Sequence, residues 1–169
     1  MRKQIFSLYF IIALLFVSST SGQENKAIEN RDLSESIVMK WWNQLPQEWQ
    51  RLFVQKANMS YPLNLKQVER LGRLGGFDCN GAEIATLKPL SNLTWLTYIN
   101  CSNTKITTLE PLKHLRKLDR LIIDSTDIDD LSPIENLESL TFLRLINTNV
   151  PRDDIIAFIK RHPGVEVQY

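Results

Sequence analysis

The chain has 169 residues, 43% of them hydrophobic, which suits one domain of ordinary size with a real core and excludes a disordered chain. Its 20 Lys and Arg are interspersed with 19 Asp and Glu, and the formal charge of +1 implies no bulk attraction to nucleic acid or an anionic membrane.

Arg2 and Lys3 precede an uncharged apolar stretch, Ile5 to Val17, of signal-peptide length, and the small residues Ser18, Ser19, Thr20, Ser21 and Gly22 follow. Residues 1–22 are read as a signal peptide cleaved after Gly22, which makes the mature chain secreted or periplasmic with no membrane span. The stretch is shorter than the ~20 residues that cross hydrocarbon, which disfavours the alternative, an uncleaved anchor. Residues 23–31 are polar and read as a flexible linker.

Residues 32–64 are expected to form a helical N-terminal cap. Asp32 and Glu35 have capping-box spacing and open a helix to about Asn43, and Pro46 is placed to start a second one to about Ala57. Trp41, Trp42, Leu45, Trp49, Leu52 and Phe53 supply its apolar stripes. At helical spacing the tryptophans read as core, with a sugar-stacking or membrane-dipping surface as the alternative.

From residue 87 the sequence repeats every 22 residues without a gap, over 87–108, 109–130 and 131–152. The units open on Leu87-Lys88-Pro89-Leu90, Leu109-Glu110-Pro111-Leu112 and Leu131-Ser132-Pro133-Ile134. Apolar columns follow at Leu93/Leu115/Leu137, Leu96/Leu118/Leu140, Ile99/Leu121/Leu143 and Cys101/Ile123/Leu145, then Thr104/Thr126/Thr148 and Ile106/Ile128/Val150. The apolar-x-apolar pair points both side chains to one face of a short strand, and the threonine turns the chain while satisfying backbone groups inside the bend. Upstream, Leu65, Val68, Leu71, Leu74, Phe77, Cys79 and Ile84 keep the register, with Ala82 in the threonine column. Downstream, Ile156, Ile159, Val165 and Val167 continue it, with His162 in a leucine column. Pro151 and Asp153-Asp154 mark the start of a closing helix, which Pro163-Gly164 ends before a last edge strand, Val165 to Tyr169.

This pattern resembles the leucine-rich repeat, with threonine where that family usually has asparagine, and over residues 65–169 it is similar to the short secreted bacterial proteins of the internalin-like kind. The resemblance implies an α/β solenoid of about five rungs with a parallel sheet on its concave face, and a module that binds a protein. A carbohydrate or cell-envelope glycan, stacked on Tyr98, Phe142 or the cap tryptophans, is the alternative ligand.

No catalytic constellation is legible, so the chain is read as non-enzymatic and without a cofactor. His114 and His162 lack metal-ligand spacing, and Gly72-Arg73-Leu74-Gly75-Gly76 lacks the lysine of a phosphate loop. Asp124, Asp127, Asp129 and Asp130 cluster without the glycine and distal glutamate of a calcium loop. Cys79 and Cys101 share one column of adjacent rungs and are read as free thiols in the core, with a disulfide as the alternative. Asn58, Asn92 and Asn100 match a glycosylation pattern that matters only in a eukaryotic secretory pathway.

The register also assigns the outward sheet face. Its columns run Gly76, Tyr98, Arg120, Phe142, Gly164; then Asp78, Asn100, Ile122, Arg144, Glu166; then Asn80, Ser102, Asp124, Ile146, Gln168. Tyr98, Asn100, Arg120, Ile122, Asp124, Phe142, Arg144 and Ile146 are the expected partner-binding residues, mixing arginine with aromatic and aliphatic side chains as interfaces do.

Overall fold

The computed structural model describes residues 39–60, 62–71 and 74–169. The expected signal peptide, linker and Asp32–Glu35 capping box lie outside these residues. The chain divides into two compact units, residues 1–73 and 74–169.

In the first unit residues 39–44 are helical, and α1 (Gln47–Lys56) follows. Pro46 stands at its N-cap, with Glu48 in the first turn and Lys56 in the last, the signs that the helix dipole favours. Trp42, Trp49, Leu52 and Phe53 are buried. The Phe53 ring centroid lies 5.7 Å from that of Trp49, 5.9 Å from Trp41 and 6.4 Å from Trp42, so the tryptophans pack round it. α2 (Leu65–Leu71) opens on a reciprocal cap: the Asn64 amide donates to Gln67 Oε1 at 2.9 Å and the Gln67 amide to Asn64 Oδ1 at 3.0 Å.

The second unit is built on short parallel strands in chain order, β1 (Gly76–Asp78), β2 (Tyr98–Asn100), β3 (Arg120–Ile122), β4 (Phe142–Arg144) and β5 (Glu166–Gln168). This is the expected α/β solenoid, with five rungs among the described residues. Phe77, Ile99, Leu121, Leu143 and Val167 pair in register as one inward column, and Cys79, Cys101, Ile123 and Leu145 follow as a second. On the outer side the three prolines of one column each sit inside a three-residue 3-10 helix, Lys88–Leu90, Glu110–Leu112 and Ser132–Ile134. Leu90, Leu112 and Ile134 in these turns are buried, as are the Leu93 and Leu96 columns. Each such aliphatic side chain contributes about 1.5–3 kcal/mol on burial, and its partners sit largely in neighbouring rungs, so stability is collective.

Two devices turn the chain after the strands, the first after β2, β3 and β4 and the second after β1 as well. Thr104, Thr126 and Thr148 donate through Oγ1 to the carbonyls of Cys101, Ile123 and Leu145 at 2.7, 2.8 and 3.0 Å, the role expected of that column. One residue earlier, Gly81, Asn103, Ser125 and Asn147 have φ of 70°, 56°, 51° and 58°. Glycine and asparagine tolerate this left-handed region, and serine does so less readily.

The uniform 22-residue register fails at the last rung. It sets Gly164 beside Phe142 and Glu166 beside Arg144, whereas the sheet pairs Phe142 with Glu166 and Arg144 with Gln168. The outer side of this unit is an α-helix, α3 (Arg152–Arg161), instead of a 3-10 turn. A helix advances only ~1.5 Å per residue, so the return path uses more chain and moves β5 two positions along the sequence. His162, in the leucine column by sequence, is the C-cap of α3. Its ring stacks on Phe158 at 4.2 Å, with Nδ1 3.0 Å from the Phe158 carbonyl and Nε2 2.9 Å from that of Glu135. Among the described residues no helix is long and apolar enough to cross a membrane.

Candidate protein-binding face of the sheet

Side chains that alternate with the inward column belong to the opposite face. Strand pairing puts them in two rows, Gly76, Tyr98, Arg120, Phe142, Glu166 and Asp78, Asn100, Ile122, Arg144, Gln168. Ser102, Asp124 and Ile146 extend the face just past the strand ends.

Several side chains here are held by a neighbour across the rungs. A Cβ at Gly76 would stand 3.0 Å from Tyr98 Cδ1, so glycine is what lets the tyrosine ring lie across β1. Arg120 is exposed, and its guanidinium carbon sits 4.3 Å above the Phe142 ring centroid. Such stacking is worth roughly 0.5–1 kcal/mol at an open site. Asp124 accepts from Arg144 Nε at 2.7 Å and from the Ile146 amide at 3.0 Å, while its own amide donates to Ser102 Oγ at 3.2 Å. Asn100 Oδ1 is engaged too, by the Ser102 amide at 3.1 Å.

The eight residues expected to meet a partner do share one face, but two of them are covered. Phe142 is only 8% exposed, under Arg120, and Asp124 is only 8% exposed, tied to Arg144. Alternation gives the direction in which a side chain leaves the sheet and says nothing of a long neighbour folded over it. The accessible groups are Arg120 and Ile146, the latter 46% exposed, with half-buried Tyr98, Asn100, Ile122 and Arg144. Arg144 is neutralised by Asp124. Among the described residues no carboxylate pairs with Arg120, whose recorded partner is the Phe142 ring.

Sequence reasoning missed the left-handed column at the rim of this face. Asn103 Nδ2 reaches Asn80 Oδ1 in the preceding rung at 2.9 Å, and Asn147 Nδ2 reaches Ser125 Oγ at 3.2 Å. The signal was the recurrence of Gly81, Asn103 and Asn147 in one column, residue types that accept positive φ.

The other groups weighed for chemistry have structural partners. Asp130 accepts from the Ser132 amide at 2.8 Å and from Ser132 Oγ at 2.6 Å, and these bonds hold its carboxyl below the ordinary value. His114 is exposed on the outer side, beside Lys113. Cys79 and Cys101 are buried, their sulfurs 3.2 Å apart; burial, reinforced by Cys79, pushes the Cys101 thiol well above its usual range while the rungs are closed. Among the described residues no group of three or more His, Cys, Asp or Glu is placed to hold a metal ion.

No protein-family model matches the sequence, and no curated protein is significantly similar to it. Solved structures do match. An internalin (InlF) from Listeria monocytogenes aligns with 27% identity and a TM-score of 0.52, covering 62% of this chain and 30% of that one. A leucine-rich repeat protein from Leptospira interrogans aligns with 25% identity and a TM-score of 0.54, covering 61% and 27% respectively. The chain has the leucine-rich repeat fold and resembles proteins of the internalin type. It spans less than a third of the length of either relative. Where leucine-rich repeats usually have asparagine, Thr104, Thr126 and Thr148 each span the bend with a single hydroxyl.

Proposed function

We propose that the protein is a non-enzymatic binding module that takes a protein partner on the concave face of its sheet. The observation that carries this reading is Arg120, a guanidinium with no carboxylate partner among the described residues, held over Phe142 at 4.3 Å on the face that also carries Tyr98, Ile122 and Ile146. Such a surface fits a protein segment offering one carboxylate flanked by apolar side chains, the arginine and aromatic mixture that binding hot spots favour. Arg144 stays bound to Asp124 and contributes the flat side of its guanidinium.

In the same reading residues 1–22 are a cleaved signal peptide, 23–31 a linker, 32–64 a helical cap and 65–169 the repeat domain, and the mature chain works in a secreted or periplasmic setting. The likeness to the internalin and the Leptospira repeat protein supports a protein ligand over a small molecule.

The test is capture from the native compartment by crosslinking, comparing wild type with the variant in which Arg120, Phe142 and Arg144 are all alanine. Loss of one defined protein partner with the fold intact by circular dichroism is the expected result. Unchanged capture overturns the concave-face assignment, and retention on envelope polysaccharide stripped of protein replaces it with the glycan reading.

A further inference from the structure

Cys79 and Cys101 are the chain's complement of cysteine, and they occupy one inward column of the first two rungs, where the next two rungs carry Ile123 and Leu145. Both are fully buried, with their sulfurs 3.2 Å apart, closer than two unbonded sulfurs that merely pack. The Cys79 amide donates to the Asn100 carbonyl at 2.7 Å, so the two backbones lie at parallel-ladder spacing, ~4.8 Å, within the Cα range of a disulfide. From 3.2 Å to a bond length of ~2.05 Å the sulfurs must approach by about 1.1 Å.

The first rung closes its turn differently. Ala82 stands where Thr104, Thr126 and Thr148 each donate a hydroxyl to the carbonyl three residues back, and its own amide donates to the Cys79 carbonyl at 2.9 Å instead. Among the described residues β1 is paired on one side only, by β2, and terminal rungs of a solenoid open most readily. A covalent link between first and second rung falls at an end of the sheet, where a stack of rungs opens first.

We propose that Cys79 and Cys101 form a rung-to-rung disulfide that staples β1 to β2 when the chain meets a small-molecule or protein disulfide as oxidant. One cysteine thiolate, exposed while the first rung is open, attacks the oxidant RS–SR, forming a mixed disulfide and releasing RS⁻. The second thiolate attacks the protein sulfur of that mixed bond, the Cys79–Cys101 bond forms, and a second RS⁻ leaves. The two thiol protons end on the released thiolates, and the chain loses two electrons to the reagent.

The full chain, purified reduced and then incubated with oxidised glutathione, tests this. Intact mass should fall by two hydrogens, alkylation after denaturation should find no thiol, and the urea midpoint should rise, all reversed by dithiothreitol. Hydrogen exchange at residues 76–82 should slow on oxidation, while the Cys79→Ser variant under the same treatment shows neither change. Two alkylatable thiols after denaturation, glutathione adducts, or disulfide-linked dimers in the wild type overturn the proposal. A bond that forms without slowing exchange at 76–82 overturns the stapling role.

Discussion

Arg144 on β4 donates through Nε to Asp124 Oδ2 at 2.7 Å, and the same carboxylate receives the Ile146 amide at 3.0 Å, so one buried side chain ties the end of β3 to both sides of the next turn. Truncating it leaves an amide and a guanidinium without their acceptor. Asp124→Ala should cost about 2 kcal/mol, and Asp124→Asn less because an acceptor oxygen remains. Urea denaturation at constant m-value reads both.

The left-handed turn position gives a prediction of opposite sign. Ser125 holds φ at 51°, in a column whose other members are Gly81, Asn103 and Asn147. Ser125→Asn should raise stability by about 0.5–1 kcal/mol by suiting that conformation, and Asn147→Ala should lower it by about 1 kcal/mol. Thermal midpoints of the two variants against wild type decide it.

Thr126 is buried and its hydroxyl donates to the Ile123 carbonyl at 2.8 Å. Thr126→Val keeps the shape and removes the donor, and should destabilise by about 1 kcal/mol. Thr126→Ser keeps the donor and should recover part of the loss. If valine matches wild type in the denaturation curve, the column acts by shape alone.

Asp130 supplies the pH prediction. The Ser132 side-chain bond, then the Ser132 amide, lower its folded pKa from the ordinary 3.8. A lowered carboxylate pKa stabilises the fold above the unfolded value, and that contribution is lost as pH falls through the folded pKa, here below 3.8. Ser132→Ala should shift the Asp130 titration upward by NMR with little change in neutral-pH stability, because the group is exposed.

The middle rungs were legible because each inward position repeats at 22 residues and one column carries Pro89, Pro111 and Pro133, so period and turn chemistry agree. The last rung was not, because Pro151 and Asp153-Asp154 announce a helix without saying how much chain it takes up, and β5 lies two residues beyond the extrapolated register. On the face, alternation found the right side of the sheet for Tyr98 through Ile146. It could not foresee Arg120 lying over Phe142 or Arg144 closing on Asp124, since those depend on rotamers of long side chains. The Asn64–Gln67 cap of α2 is written in residue types three apart, the spacing of a reciprocal cap.

Site-specific photo-crosslinking in the native compartment tests the central claim most directly. A photoreactive residue is placed singly at Ile122 or Ile146 on the sheet face, and at Arg116 or Glu138, both exposed on the outer side. One protein adduct is expected from positions 122 and 146, none from 116 and 138, and its loss when Arg120 is also replaced by alanine. Adducts from the outer positions with none from the sheet face would contradict it.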